Sequence, residues 1–193
     1  MFANEGQGMK VVGFCGPSGV GKTTLIEQLI AELKGRGQRV SVIKHAHKRF
    51  DIDQPGKESW RHRQAGAIEV LIASGQRQAL LRDYAVEAQP TVHQLICQMA
   101  DCDWLLVEGF KNADIPKVEI WRAALSQPPG YPDDPFVTTI ATDVPGGLPV
   151  PTNLPVFNMA DAAALAAHLA DTGRRYDYRS PAAPPFIGTE IHG

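Results

Sequence analysis

A glycine-rich octapeptide, residues 16–23, constrains this chain more than any other part of it. The octapeptide reads GPSGVGKT and fits the pattern G-x-x-x-x-G-K-[ST] at every fixed position. A short apolar run, residues 10–15, precedes it, and apolar residues at helical spacing follow it over residues 25–33. In this strand–loop–helix context, glycine N–H groups curl around phosphate oxygens and the positive end of the helix faces the same anion. The sequence therefore predicts a phosphate site for a nucleotide.

The residues of this loop have separate expected roles. Lys22 can reach the β- and γ-phosphates, and the Thr23 hydroxyl can ligate Mg²⁺. A second Mg²⁺ partner is expected at the end of a neighbouring strand, where the apolar run 104–107 stops at Glu108. We therefore predict that Lys22 and Glu108 act on the phosphates and the metal. The other predicted nucleotide contacts in the loop and the first helical turn are Gly16, Ser18, Gly19, Val20, Gly21 and Thr24.

Strands and helices alternate along the chain, which favours an α/β fold of three layers with a mainly parallel sheet. Residues 68–73 and 78–82 read as two further strands joined by a turn at residues 74–76, so a β-hairpin is expected in addition. We expect a single domain over residues 9–172, preceded by a leader at residues 1–8. The tail, residues 173–193, lacks periodicity and is expected to be poorly ordered.

Composition excludes several classes of protein. Lys plus Arg total 19 against 21 Asp plus Glu, which gives a net charge of −2. A dedicated nucleic-acid or membrane-surface binder would show a strong basic excess, so neither partner is expected. The three cysteines are odd in number and show no C-x-x-C spacing, which argues against a disulfide framework and favours the cytoplasm.

The segment 44–63 is the least generic part of the chain, with six Lys or Arg and three Asp or Glu in 20 residues. Its basic residues could bind a second anionic ligand beside the nucleotide. His45 and His47, with Asp51 or Asp53, could instead hold a transition metal. The charges could also form a solvated loop of weak ion pairs. The anion hypothesis is favoured, because the segment starts at the end of the second strand and should overlook the phosphate loop.

Two acidic positions have open roles. Asp51 or Asp53 could hold Mg²⁺ through water or orient an attacking water, and spacing does not choose between them. Asp143 ends a late strand, where a carboxylate could accept hydrogen bonds from a guanine base. It also precedes a Val-Pro-Gly-Gly turn, where Asp is common for conformational reasons. Both interpretations of Asp143 stay open.

Three blocks together resemble one family. The first is the loop at residues 16–23. The second combines Lys44-His-x-His, Phe50-Asp-Ile-Asp and Pro55-Gly-Lys-Glu-Ser, and the third is Leu106-Val-Glu-Gly-Phe-Lys with Ile115-Pro-Lys-Val-Glu. Residues 10–143 are thereby similar to the molybdopterin-guanine dinucleotide biosynthesis protein B (MobB) family, whose fold is that of the P-loop nucleoside triphosphate hydrolases.

The resemblance implies a GTP-binding protein of molybdenum cofactor biosynthesis, a homodimer and an adapter that is at most a slow GTPase. Its implied partner is the guanylyltransferase that joins GMP to molybdopterin, with molybdopterin or its molybdenum form as a possible ligand. Lys22, Thr23 and Glu108 carry over as phosphate and Mg²⁺ contacts. The family's basic block carries over as a site for a second anion or a partner, at Lys44, His45, Lys57, Arg61 and Arg63.

Two alternative functions stand beside this one. A small-molecule P-loop kinase needs a mobile, arginine-bearing lid, which Arg61 and Arg63 could supply. A nickel-type metallochaperone GTPase would depend on His45 and His47.

Overall fold

The computed structural model describes residues 8–46, 50–84, 89–99 and 101–181. Most of the expected leader (residues 1–7), His47 and residues 182–193 of the tail lie outside the described residues. The chain divides into two compact units, Met1–His45 with Val92–Gly193 and Ala46–Thr91. This division differs from the single domain expected over residues 9–172.

The regular elements lie close to the predicted ones. The strands are β1 (Lys10–Cys15), β2 (Val40–Lys44), β3 (Glu69–Ala73), β4 (Gln78–Arg82), β5 (Trp104–Glu108), β6 (Lys117–Trp121), β7 (Val137–Thr142) and β8 (Val156–Asn158). The α-helices are α1 (Lys22–Gly35), α2 (Glu58–Gln64), α3 (Val92–Ile96) and α4 (Ala162–Asp171). None of these described helices combines the length and the apolar character that crossing a lipid bilayer requires.

The first unit is a three-layer α/β structure. Its six strands run parallel in the order β2-β5-β1-β6-β7-β8. Alternate residues of β1 face opposite layers: Val12 and Phe14 pack with α1 and α4, whereas Val11 packs with α3. Strands buried on both faces account for the continuous apolar runs in the sequence. The predicted fold class, a mainly parallel sheet with an added hairpin, is confirmed.

The parallel sheet brings the carboxyl ends of six strands to one edge, which is where ligands bind in open α/β sheets. Each strand there delivers a different residue to the same end of the unit. The residues that follow the strands are Gly16 after β1, His45 after β2, Gly109 after β5, Arg122 after β6, Asp143 after β7 and Met159 after β8.

The second unit contains α2 and the antiparallel hairpin β3–β4. Val70 pairs with Leu81, and the turn is closed by the Ser74 N–H, which donates to the Arg77 carbonyl at 2.7 Å. The hairpin leaves Leu71, Ile72 and Leu80 between 46% and 61% exposed within this chain. The predicted hairpin is therefore present, with apolar side chains outside any core of the described chain.

The end of the first unit requires a correction. Residues Gly173–Tyr176 form a 3₁₀-helix, and Tyr176 is 1% exposed in the core beside Trp104. The Tyr178 N–H then donates to the Met9 carbonyl at 2.9 Å, next to the start of β1. The expectation of disorder from residue 173 is thus wrong for residues 173–178, because two tyrosines anchor them without any periodic pattern.

Candidate nucleotide site

The loop between β1 and α1 has a backbone that demands glycine. Gly16, Gly19 and Gly21 have φ angles of 133°, 78° and 105°, in the range that side chains disfavour. A β-carbon on Gly16 would stand 2.3 Å from the Ile120 carbonyl oxygen, so this position also has no room for one. These glycines let the loop curl tightly over the end of the sheet.

The amino end of α1 is left open for an anion. Gly21 is its N-cap residue, no side chain in the described part of the chain caps it, and its first turn holds no acidic residue. The first N–H groups of a helix need acceptors from outside it, and a phosphate supplies them. Val20 is fully buried and anchors the loop in the core, whereas Ser18, Gly19, Thr23 and Thr24 are exposed.

Lys22 curls back over the loop. Its Nζ donates to the Gly16 and Pro17 carbonyl oxygens, each at 2.8 Å. Partial burial lowers the pKa of this ammonium group below its ordinary value. The negative charge of Glu108 opposes this shift. The positive charge of Lys22 is therefore held directly above the loop that would cradle phosphates.

Thr23 and Glu108, the two residues predicted to contact Mg²⁺, lie within hydrogen-bond distance of each other. The Thr23 hydroxyl donates to Glu108 Oε1 at 2.7 Å. The Lys44 ammonium group lies between them, 3.2 Å from Glu108 Oε2 and 3.4 Å from Thr23 Oγ1. Glu108 is only 9% exposed at the end of β5. The nearly buried Glu108 carboxylate and the Thr23 hydroxyl therefore both contact one cation, the Lys44 ammonium group.

His45 lies against the turn that follows Glu108. The His45 N–H donates to the Glu108 carbonyl at 2.9 Å, and its ring stacks on Phe110 with 4.5 Å between centroids. A β-carbon on Gly109, whose φ is 98°, would stand 2.9 Å from the His45 β-carbon. Close packing against His45 therefore accounts for the glycine and the phenylalanine that follow Glu108 at the end of β5.

A second group of side chains lies on the other side of the loop. Arg122 Nε is 3.6 Å from Asp143 Oδ2 and 3.0 Å from Met159 Sδ. Met159 Cε lies 3.0 Å from the position of a β-carbon on Gly21. Asp143 therefore stands near the phosphate loop, as its position after a late strand suggested. Sequence analysis missed Arg122 and Met159, which directly follow strands β6 and β8. Their place at the carboxyl ends of parallel strands is the signal that could have found them.

The remaining predicted site residues belong to the second unit. The Arg63 guanidinium contacts three carboxylates, at 3.4 Å to Asp51, 3.6 Å to Asp53 and 3.2 Å to Asp83. The Ser59 hydroxyl donates to Asp53 at 2.6 Å, which completes this network. For Arg63 and Asp51 the geometry matches the ion-pair interpretation of the segment.

Lys57 belongs instead to the wall of a cleft. The cleft has a volume of about 600 Å³ and lies between the start of α2 and strand β3. Arg61 is exposed on α2. The residues that line the cleft are Gly56, Lys57, Glu58, Ser59, His62 and residues 70–73.

Within the described ranges, His, Cys, Asp and Glu residues form no group of three or more suited to holding a metal. The metal hypothesis built on His45 and His47 also involves a residue outside those ranges.

Comparison with known proteins agrees with this architecture. The family model described as molybdopterin guanine dinucleotide synthesis protein B, MobB, matches residues 11–143. A molybdopterin-guanine dinucleotide biosynthesis adapter protein of Escherichia coli is 40% identical over 143 residues, 72% of this chain and 82% of its own length. The adapter protein of Haemophilus influenzae is 40% identical over 139 residues, 70% of this chain and 75% of its own.

A solved structure of a MobB homologue from Bacillus stearothermophilus shares the fold. It superimposes with a TM-score of 0.64 at 22% identity and covers 86% of this chain and 99% of its own. The region that the family model matches, residues 11–143, contains the phosphate loop, the basic segment after β2, Glu108 and Asp143. The chain belongs to the molybdopterin guanine dinucleotide synthesis protein B (MobB) family.

Proposed function

We propose that this protein binds GTP with Mg²⁺ and serves as an adapter in the biosynthesis of molybdopterin guanine dinucleotide. The observation that carries the proposal is the glycine loop itself, with Lys22 held over it and the uncapped amino end of α1 beneath it. Backbone N–H groups of residues 18–24 would hold the phosphates, and Lys22 would exchange its carbonyl contacts for phosphate oxygens.

The residues at the end of β5 fit a magnesium ion. Mg²⁺ prefers hard oxygen ligands, and here a hydroxyl and a nearly buried carboxylate oxygen lie 2.7 Å apart beside the loop. Thr23 would ligate the ion, and Glu108 would contact it directly or through water. The bound ion would neutralise phosphate charge. Lys44 now contacts both oxygens, so its ammonium group would move toward the phosphates when a divalent cation takes its place.

Asp143 supports selectivity for guanine. A guanine base presents N1–H and N2–H₂ donors on one edge, and a carboxylate accepts both, whereas adenine offers no such pair. The Asp143 carboxylate is partly exposed and pairs with Arg122, which also contacts Met159 beside Gly21 of the phosphate loop. Turnover would be slow, since Asp51 and Asp53, the two candidates for orienting water, both form ion pairs with Arg63.

The adapter role comes from the two relatives at 40% identity, whose names describe adapter proteins of this biosynthesis. The partner would be the guanylyltransferase that uses GTP and molybdopterin. The cleft lined by Lys57 and His62 offers a cation for an anionic second ligand such as the molybdopterin phosphate. Lys44 and His45 of the first unit and Arg61 of the second unit are further basic residues that a partner would contact.

A homodimer in the cytoplasm completes the proposal. Apolar side chains on the hairpin are exposed in a single chain, and a second copy would bury them. All three cysteines, Cys15, Cys97 and Cys102, are free thiols, as expected in a reducing compartment.

Replacing Asp143 with Asn tests the base assignment. Xanthine carries an oxygen where guanine carries its amino group, so an amide at residue 143 would match xanthine and mismatch guanine. We expect Asp143→Asn to lower GTP affinity by about ten- to a hundredfold, the effect of losing one charge-assisted contact, and to raise XTP affinity. Asp133→Asn, on an exposed loop residue, is the control. Unchanged GTP and XTP affinities in Asp143→Asn would rule out this base contact.

A further inference from the structure

Arg122, Asp143 and Met159 form one group of side chains at the carboxyl ends of three neighbouring strands. Strands β6, β7 and β8 are adjacent in the sheet, and each ends one residue before a member of the group. Glu108, which ends β5, lies on the opposite side of β1. The phosphate loop leaves β1 between these two sides. A nucleotide with its metal-bound phosphates toward Glu108 would therefore extend its base toward this group.

Arg122 connects the other two residues. Its Nε lies 3.6 Å from Asp143 Oδ2 and 3.0 Å from Met159 Sδ. Met159 in turn lies against Gly21, the N-cap residue of α1. The Arg122 guanidinium group thus contacts both Asp143, the candidate for binding the base, and Met159, which lies against the phosphate loop.

The Asp143 carboxylate needs such a partner to point in a fixed direction. Its side chain is 39% exposed, so it has room to rotate. Its backbone is better fixed: the Val144 N–H donates to Thr142 Oγ1 at 3.2 Å, and Tyr131 bonds the Val150 carbonyl of the same loop at 2.6 Å. Within the described residues, Arg122 is the cation that forms an ion pair with Asp143. Arg122 therefore restrains a side chain whose direction these backbone contacts leave free.

We propose that Arg122 is a positioning residue that sets base specificity, by holding the Asp143 carboxylate toward the donor edge of guanine. This inference rests on the proposed function, because it requires Asp143 to face the base. Arg122 acts through Asp143 and does not contact the nucleotide phosphates. Its removal should therefore weaken binding of guanine nucleotides and leave adenine nucleotides unaffected.

The test compares Mg·GTP and Mg·ATP affinities of the full chain by calorimetric titration. The variants are Arg122→Ala, Arg122→Lys and, as a control, Arg36→Ala, an exposed arginine at the end of α1. We expect Arg122→Ala to lower GTP affinity by about two- to fivefold, the scale of one exposed ion pair, with ATP affinity unchanged. Arg122→Lys should keep most of the GTP affinity, and Arg36→Ala should behave as the wild type.

A double substitution separates positioning from a structural role. In the Asp143→Asn background the carboxylate is gone, so Arg122→Ala should have no further effect on XTP binding. Equal losses for GTP and ATP in Arg122→Ala would assign Arg122 to the phosphates and overturn the inference. An unchanged GTP affinity in Arg122→Ala would overturn it as well. A wild type that binds GTP and ATP equally well would instead refute the proposed function itself.

Discussion

Lys22 is the residue whose loss should affect nucleotide binding most. Its ammonium group is held above the phosphate loop by two carbonyl oxygens at 2.8 Å. We expect Lys22→Ala to lower nucleotide affinity by about ten- to a hundredfold, since one charge-assisted phosphate contact is worth about 1.5–3 kcal/mol. Titration calorimetry measures this loss, and Lys34→Ala at the other end of α1 is the matched control. Equal affinities in the two variants would mean that the phosphates bind elsewhere.

Glu119 carries a pH dependence that its position in β6 explains. Burial raises the pKa of this carboxyl above its ordinary value of 4.5, although the Gly130 and Tyr131 N–H groups oppose the shift. Its Oε1 accepts from the Gly130 N–H at 2.7 Å, and its Oε2 has no hydrogen-bond partner among the residues that the structure describes. The folded protein therefore favours the protonated carboxyl more than the unfolded chain does.

Because the folded-state pKa of Glu119 is raised, its contribution to stability is full below pH 4.5 and is lost as pH rises through the folded-state value. We expect Glu119→Gln, which does not titrate, to gain stability relative to the wild type across that window. Chemical denaturation at several pH values measures the difference, with the exposed Glu27→Gln as control. A difference that stays constant or shrinks with rising pH would contradict this account.

At the scale of elements, most of the fold could be predicted because its strands are local patterns. Residues 10–15 and 104–107 are short apolar runs, and both are buried strands of the parallel sheet. The hairpin followed from two β-rich runs around a turn. The segment after α4 could not be predicted in this way. Tyr176 and Tyr178 are held by contacts with Trp104 and Met9, which are distant in sequence and leave no local pattern.

The anchoring of this last segment makes a stability prediction. Tyr176 is 1% exposed and packs on Trp104. Its hydroxyl oxygen is 3.3 Å from Thr138 Oγ1. We expect Tyr176→Ala to reduce the free energy of unfolding by about 3–5 kcal/mol, as for other large aromatic side chains lost from a core. Tyr84→Ala, on a residue 46% exposed, should cost less than about 0.5 kcal/mol. Denaturant unfolding that shows similar small losses for both would mean that the segment is not part of the core.

The candidate site, like the fold, could be predicted only where a local sequence pattern marks its residues. The glycine loop, Thr23 and Glu108 were predictable, because a motif and a strand end mark them. The contact of Lys44 with Glu108 and the Arg122 group were not predictable. They depend on β2 lying beside β5, and on β6, β7 and β8 being neighbours. Strand order of this kind cannot be derived from the strands themselves.

For the whole molecule, the exposed hairpin bears on assembly. Leu71, Ile72 and Leu80 lie on a two-stranded sheet of the second unit, and isolated hairpins are rarely stable without further packing. We expect a homodimer in light scattering at micromolar concentration and a shift toward monomer in Leu71→Asp, because a charge at this position would oppose burial. Gln76→Asp, at the hairpin turn, should leave the dimer intact. A wild-type protein that stays monomeric would contradict the proposed assembly.

In our proposal the whole molecule binds a guanine nucleotide through the loop at residues 16–23. Calorimetric titration of the purified protein with GTP and with ATP, each with Mg²⁺, measures this binding and its selectivity. We expect one nucleotide to bind per chain with a clear preference for GTP, since the Asp143 carboxylate would accept hydrogen bonds from the guanine base. An equal or greater affinity for ATP would contradict it.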